Sequence, residues 1–288
     1  MSLETTLTLQ LPVIDFTSQD LKPGTSEWDL VRGNVRRALE DFGCFEALFD
    51  KLPVKLRKAV FDVSEELFRL PIETKERVVS EIKYKGYVGH SPTNPLYEGV
   101  GIEFADNSEK VTAFTQKLWP KGNSSFSETV LSFTEQVSEL DFITRRMIME
   151  TFGLDDKYIH EHLNSTKCQN SVADGIEVKT KDDKHWIKAN ASQDSSFIVL
   201  AGSMLHVLLN GRVLSSVHRV MRMGTNTRYS AGLFSVPKTE ELIYAPEKVV
   251  DVEHPRLFKP LDFEAYFQFT TEESGRRDSK ALRTYCGL

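Results

Sequence analysis

Two patterns of apolar residues divide the chain. In the first half they recur at helical spacing. Trp28, Val31, Val35, Ala38, Leu39 and Phe42 fall on one face, with Ser26 as an expected N-cap, Asp29 three residues later and Gly43 as a stop. Pro53 opens a second helix carrying Leu56, Val60, Val63, Leu67 and Phe68, and Pro71 ends it. A long helix is predicted from Ser124 to about Phe152, striped by Phe126, Val130, Phe133, Val137, Leu140 and Met147 and closed by Gly153. LPVIDF (11–16) and CFEALF (44–49) read as strands, and residues 83–123, richer in Gly, Pro and Asn, offer only short strand candidates.

The second half changes period. GIEVK, HWIK, SSFIVLAG, SMLHVLL, SVHRVM and TRYSAGLFSV are short, β-branched-rich and separated by turn residues such as Asn210-Gly211 and Gly224. Strands so closely spaced predict an antiparallel sandwich or barrel. The early strands can add to this later sheet, so the chain reads as one compact unit with a helical and a β region. DFEAYFQF, near the end, is an amphipathic segment suited to an external helix.

Composition narrows the function classes. The 288 residues are 40% hydrophobic and 27% charged, with net charge -6. No basic stripe is present to neutralise phosphates, which argues against a nucleic-acid partner. No run approaches the ~20 apolar residues of a membrane span, and no signal peptide is evident at the start. Three widely spaced cysteines, Cys44, Cys168 and Cys286, argue against a disulfide framework and for a reducing, cytoplasmic compartment. A small molecule is the expected partner, and the oligomeric state stays open.

The candidate chemistry lies in NGRVLSSVHRVMRMGTNTRYSAGLFSV (210–236). Arg228 and Ser230 are two apart on a predicted strand and so share a face. A guanidinium fork grips a carboxylate with two hydrogen bonds, and a hydroxyl adds a third. His218, one strand earlier, is placed to hold a metal beside that clamp.

With these motifs on the page, the sequence resembles the plant 2-oxoglutarate- and iron(II)-dependent dioxygenases, and is most similar to the branch that modifies glucosinolate side chains. The likeness rests on LPVIDF, DFGCFEALFD (41–50), KGYVG (85–89), DGIEVKTKDDKHWI, LLNGRVLSSVHRV and TRYSAGLFSVP. It implies an α+β fold with a mainly β core: a double-stranded β-helix, or jelly roll, with N-terminal and flanking helices. It implies a dioxygenase-type region over 1–123, a connecting helix region over 124–166, a β-helix core shortened by a deletion over 167–240 and a flanking segment over 241–288. It further implies Fe(II) and 2-oxoglutarate as cofactors, with His218 as an iron ligand and Arg228 and Ser230 on the far carboxylate of 2-oxoglutarate. Small plant specialised metabolites are the implied substrates.

One departure cuts across this. The family's iron is held by two His and one carboxylate, and the first two ligands come as His-x-Asp on a strand before the segment matching DGIEVK. Here the chain runs from HLNST directly to KCQNSVADGIEVK, and no His-x-Asp occurs anywhere. The upstream tyrosine-containing segment is missing too, and Gly202-Ser203 stands where the family has Gly-Asp. A lone imidazole holds iron(II) poorly, because affinity comes from several preorganised ligands. His160 and His162 share a face only if their segment is a strand, and LDDKYIHEHLNS reads as a helix end. His206 reads as a hydrogen-bonded residue of the barrel wall, His185 as exposed, and His90 and His254 as loop residues. Lost strands would also leave unpaired edges in the barrel. The expected function is therefore that of a family member without normal oxidative activity. The alternatives are an iron-independent binding protein, a non-oxidative isomerase or cyclase on the same fold, or a site rebuilt from other ligands.

Overall fold

The computed structural model describes residues 10–80, 82, 85–91, 94–172, 176–189, 191–192, 195–220, 229–238, 242–271 and 281–288. The chain begins β1 (Val13–Asp15), α1 (Ser26–Asp41), β2 (Cys44–Leu48), α2 (Val54–Phe68), α3 (Ile72–Lys75), β3 (Gly86–Ser91), β4 (Asn94–Glu103), α4 (Ser108–Leu118) and α5 (Ser124–Thr151). It continues with α6 (Asp156–Asn164), β5 (Thr166–Val172), β6 (Ile176–Lys179), β7 (Trp186–Ala189), β8 (Ser196–Leu200) and α7 (Ser203–Leu208). It ends with β9 (His218–Val220), β10 (Ala231–Pro237), β11 (Leu242–Ile243), β12 (Leu261–Asp262), α8 (Phe263–Thr271) and α9 (Ala281–Cys286).

The helices start where side chains satisfy their first N–H groups. Thr25, one residue before the expected Ser26, caps α1, its hydroxyl accepting the Trp28 N–H at 3.2 Å. Ser26 is instead the first helical residue. Asn123 caps the 28-residue α5, accepting the Phe126 N–H, and that helix spans about 42 Å. Trp28 Nε1 donates to Glu150 at 2.7 Å and so ties α1 across α5.

Two stretches differ from the sequence reading. Residues 83–123 contain the long β3–β4 hairpin and α4, which buries Val111, Thr115 and Leu118 and is capped by Asn107. SMLHVLL, expected as a strand, forms the short helix α7. Its bounds are set by backbone: Gly202 enters extended, and Asn210 and Gly211 leave with φ of 52° and 79°. Asn210 is also buried, where it donates to the His254 and Pro255 carbonyls and accepts the Leu257 N–H. A short apolar run is equally consistent with either element, and these flanks decide it.

Three sheets follow. β1 runs parallel to β2, and β2 pairs antiparallel with β8, so the early strands do join a late one. β6 pairs antiparallel with β7 on one side and β9 on the other. The third sheet has the order β10-β5-β4-β3, all antiparallel. β11 and β12 form a separate ribbon.

The four-stranded sheet bears on the expected open edge. β5 follows α6 almost at once and is paired on both sides, with β4 and β10, where Gln169 faces Glu103 and Phe234. The residues just before DGIEVK therefore occupy a central strand, and ladder hydrogen bonds continue across the point where the chain is short.

The two faces of this sheet differ. Tyr87, Val100 and Ile102 pack on Val63, Leu67, Phe126 and Val130 of α2 and α5. Ala231 and Leu233 pack on Phe133 and Val137. Alternation turns Gly99, Gly101, Glu103, Lys167, Gly232 and Phe234 to the other face. That face is rich in glycine and polar groups, and its Phe234 is exposed.

Candidate functional site

His218 opens β9. It is paired with Val178 and therefore shares the sheet face of buried Val178 and Ile187. The imidazole is nevertheless exposed, with Nδ1 3.1 Å from the Ser216 carbonyl oxygen. Arg219 points to the opposite face. Its guanidinium donates to Glu177 at 2.7 and 2.9 Å and stacks on Trp186 at 4.0 Å. The acid on the neighbouring strand is thus engaged on the side away from His218.

Ser230 is half-buried and leads into β10, which belongs to the four-stranded sheet rather than to that of His218. Tyr229 beside it stacks on Phe68 with ring centroids 6.1 Å apart. Arg228 lies outside the described residues.

The other histidines take local roles. His160 and His162 both lie on α6, so the helical reading of that segment is the one observed. His160 is exposed and its Nε2 lies 3.0 Å from the Asn164 amide. His162 packs inward, and burial together with the Arg145 charge pushes its pKa down to about 4. His206 Nδ1 meets the Val213 carbonyl at 2.5 Å, hydrogen-bonded as expected but on a helix. Burial is the main cause lowering its pKa. His185 is exposed, and His254 closes a turn on Asp251.

The donor set does not fit an iron centre of the two-His, one-carboxylate kind. His218 has an arginine and two valines as its strand and cross-strand neighbours. Among the described residues, no three His, Cys, Asp or Glu side chains come together to hold a metal.

Sequence reasoning missed two buried polar groupings. In one, Asp141 accepts from Arg145 at 2.7 and 2.9 Å and from the Ser235 hydroxyl at 2.6 Å, joining α5 to β10. Ser138 lies 3.4 Å from the Cys168 sulfur beside it. In the other, Glu103 Oε1 accepts from Lys167 at 2.9 Å and lies 3.1 Å from Lys85. Each draws on separate elements with no local motif, so no spacing rule marks either one.

An apolar cleft lies on the helix side of the four-stranded sheet. Val60, Leu67, Phe68, Phe126, Phe133 and Ala231 are among its walls, and neither His218 nor Ser230 is.

Comparison with known proteins gives one consistent result. Residues 11–122 match the family model described as non-haem dioxygenase in morphine synthesis N-terminal, and residues 158–237 match the 2OG-Fe(II) oxygenase superfamily. The chain is similar to the probable 2-oxoglutarate-dependent dioxygenase AOP1.2 of Arabidopsis thaliana, at 47% identity over 98% of this chain and 97% of that one. That alignment has 319 positions, more than the 288 residues here, so it opens gaps in this chain. A probable inactive 2-oxoglutarate-dependent dioxygenase, AOP2 of the same plant, is 33% identical over 97% of this chain and 98% of its own length. Among solved structures, the rice dioxygenase for auxin oxidation superposes with a TM-score of 0.79 at 23% identity, covering 96% of this chain and 99% of that one. Its likeness shows a shared fold.

Proposed function

The chain belongs to the 2-oxoglutarate- and iron(II)-dependent dioxygenase family, and from that premise we propose that it has lost the family's oxidative activity while keeping a small-molecule-binding fold. The observation that carries this is the isolation of His218. The sequence has no His-x-Asp, and among the described residues the strand paired with β9 supplies no replacement ligand on the face of His218. Without a redox centre, positioning and exclusion of water are what the fold offers a ligand, and they suffice for binding or for a non-oxidative rearrangement. The ligand class is the small plant specialised metabolites of its relatives, one of which is itself described as probably inactive.

In this reading Arg228 and Ser230, of which Ser230 leads into β10, form a carboxylate clamp. The boundaries 1–123, 124–166, 167–240 and 241–288 separate the N-terminal region, the connecting helices, the shortened β-helix core and the flanking segment. Three free, buried cysteines suit a reducing cytoplasm, and no described helix is long and apolar enough to cross a membrane.

The test is anaerobic titration of the folded chain with iron(II), with and without 2-oxoglutarate, followed by the metal-to-ligand absorption band of the ternary complex. No band is expected. A band that His218→Ala abolishes restores the oxidative reading.

A further inference from the structure

The cleft on the helix side of the four-stranded sheet lies outside the inherited motif. α2 contributes Val63 and Leu67 to its walls, β4 Val100, α5 Phe126 and Phe133, and β10 Ala231. Its inner volume is about 40 Å³. Side chains in a packed interior normally interdigitate and leave few gaps larger than a water molecule. Every described wall is buried except Phe68 and Ala231, which are half-buried. The opening therefore lies between the end of α2 and the start of β10. Tyr229, two residues before Ala231, borders it and stacks on Phe68 with ring centroids 6.1 Å apart.

The walls disfavour water and exclude charge. Among the described wall residues only Ser64 and Thr129 carry a hydroxyl, and none is charged. The Ser64 hydroxyl is already engaged, donating to the Val60 carbonyl within α2 at 2.6 Å. A buried water needs about 2–4 polar partners, and an apolar cavity without them stays dry. An ion would lose its hydration with nothing to replace it.

Dispersion is what the space offers. Wall atoms that face a void lack contacts on that side, and an uncharged guest supplies them. Volume sets the size of the guest. A dry apolar cavity of about 150 Å³ holds benzene, so one of about 40 Å³ has room for about two heavy atoms. Ala231 keeps the space open. It packs with Leu233 toward Phe133, at a strand position where a larger β-branched side chain is ordinarily favoured.

We propose that this cleft, enclosed by α2, α5, β4 and β10, binds an uncharged apolar molecule of about two heavy atoms, the size of a dissolved gas. Neither iron nor the Arg228–Ser230 clamp takes part, so the site stands whether or not the chain has lost oxidative activity.

The probe is xenon, a single apolar atom, and the experiment is methyl-resolved NMR of the full chain at rising xenon pressure. The methyls of Val63, Leu67, Val130 and Ala231 shift saturably. Those of Val35 and Val213, in the other core, do not. Ala231→Val, which adds two carbons to the wall, loses the saturable shifts. Benzene, with about three times the heavy atoms of the proposed guest, leaves the same methyls unmoved. No saturable shift in the unaltered chain overturns the proposal. So do equal shifts in both cores, shifts that persist in Ala231→Val, a benzene response matching that of xenon, or an NOE from water to the Ala231 methyl. If Ala231→Val fails to fold, Val130→Ile carries the test. It adds one carbon from α5 and weakens the xenon response, and an undiminished response there overturns the site.

Discussion

Burial sets the charge state of His162. On α6 its pKa is pushed down to about 4, first by burial and then by the Arg145 guanidinium, against 6.5 for an ordinary histidine. Between those values the unfolded chain takes up a proton that the folded chain refuses. Stability is therefore fully present above about pH 6.5 and is lost as pH falls toward about 4. The span corresponds to on the order of 3 kcal/mol. Urea unfolding at about pH 7 and about pH 4.5 should show that loss, and His162→Gln should flatten it. An equal loss in both proteins removes His162 as the cause. The same scale shows what spacing can reveal. His218, Arg228 and Ser230 stand out because they lie within one short motif. Lys85, Glu103 and Lys167 meet only after β3, β4 and β5 assemble, and each alone looks like an ordinary polar residue.

At the scale of elements, helices were the legible part. α1, α2 and α5 each bury a continuous stripe at helical spacing, and their stops are Gly or Pro. α7 was not legible, because Met204, Leu205, Val207 and Leu208 suit a strand as well as a helix, and only the flanking backbone excludes the strand. α4 was hidden in a stretch whose composition resembles loop. β5 matters most. The loss of strands was expected to open an edge, and instead KCQNSV supplies a strand bonded on both sides. Its amides should resist hydrogen exchange as strongly as those at the end of β4. Exchange at loop rates over 166–172 would remove β5 from the sheet. Asn170→Pro is a sharper probe. It deletes a ladder donor opposite Ile102 and Leu233, and the carbonyl left unpaired inside a central strand should cost about 1–3 kcal/mol. Wild-type stability in that variant would mean that the central pairing is absent.

At the scale of the whole molecule, the sheet and the metal site obey different rules. A sheet tolerates replacement of one strand by another segment of suitable length, because its ladder bonds are backbone and do not depend on sequence. A metal centre does not, because its ligands are particular side chains at fixed positions. One deletion can therefore spare the fold while removing ligands: this chain superposes on dioxygenases, while among its described residues no three His, Cys, Asp or Glu side chains gather to hold a metal. The consequence is thermodynamic. A ligand that binds only the folded state stabilises it by about 2.7 kcal/mol at a hundredfold excess over its Kd. For a chain of this size that is a rise in Tm on the order of 4–5 °C. Iron(II) with 2-oxoglutarate, added without oxygen at concentrations saturating for an intact family member, should leave the Tm of this chain where 2-oxoglutarate alone leaves it. Any carboxylate site contributes equally to both samples, so the difference between them isolates the metal. A further rise of several degrees on adding iron, absent in His218→Ala, would mean that a ligand set has been rebuilt around His218 and that the loss of His-x-Asp did not end metal binding.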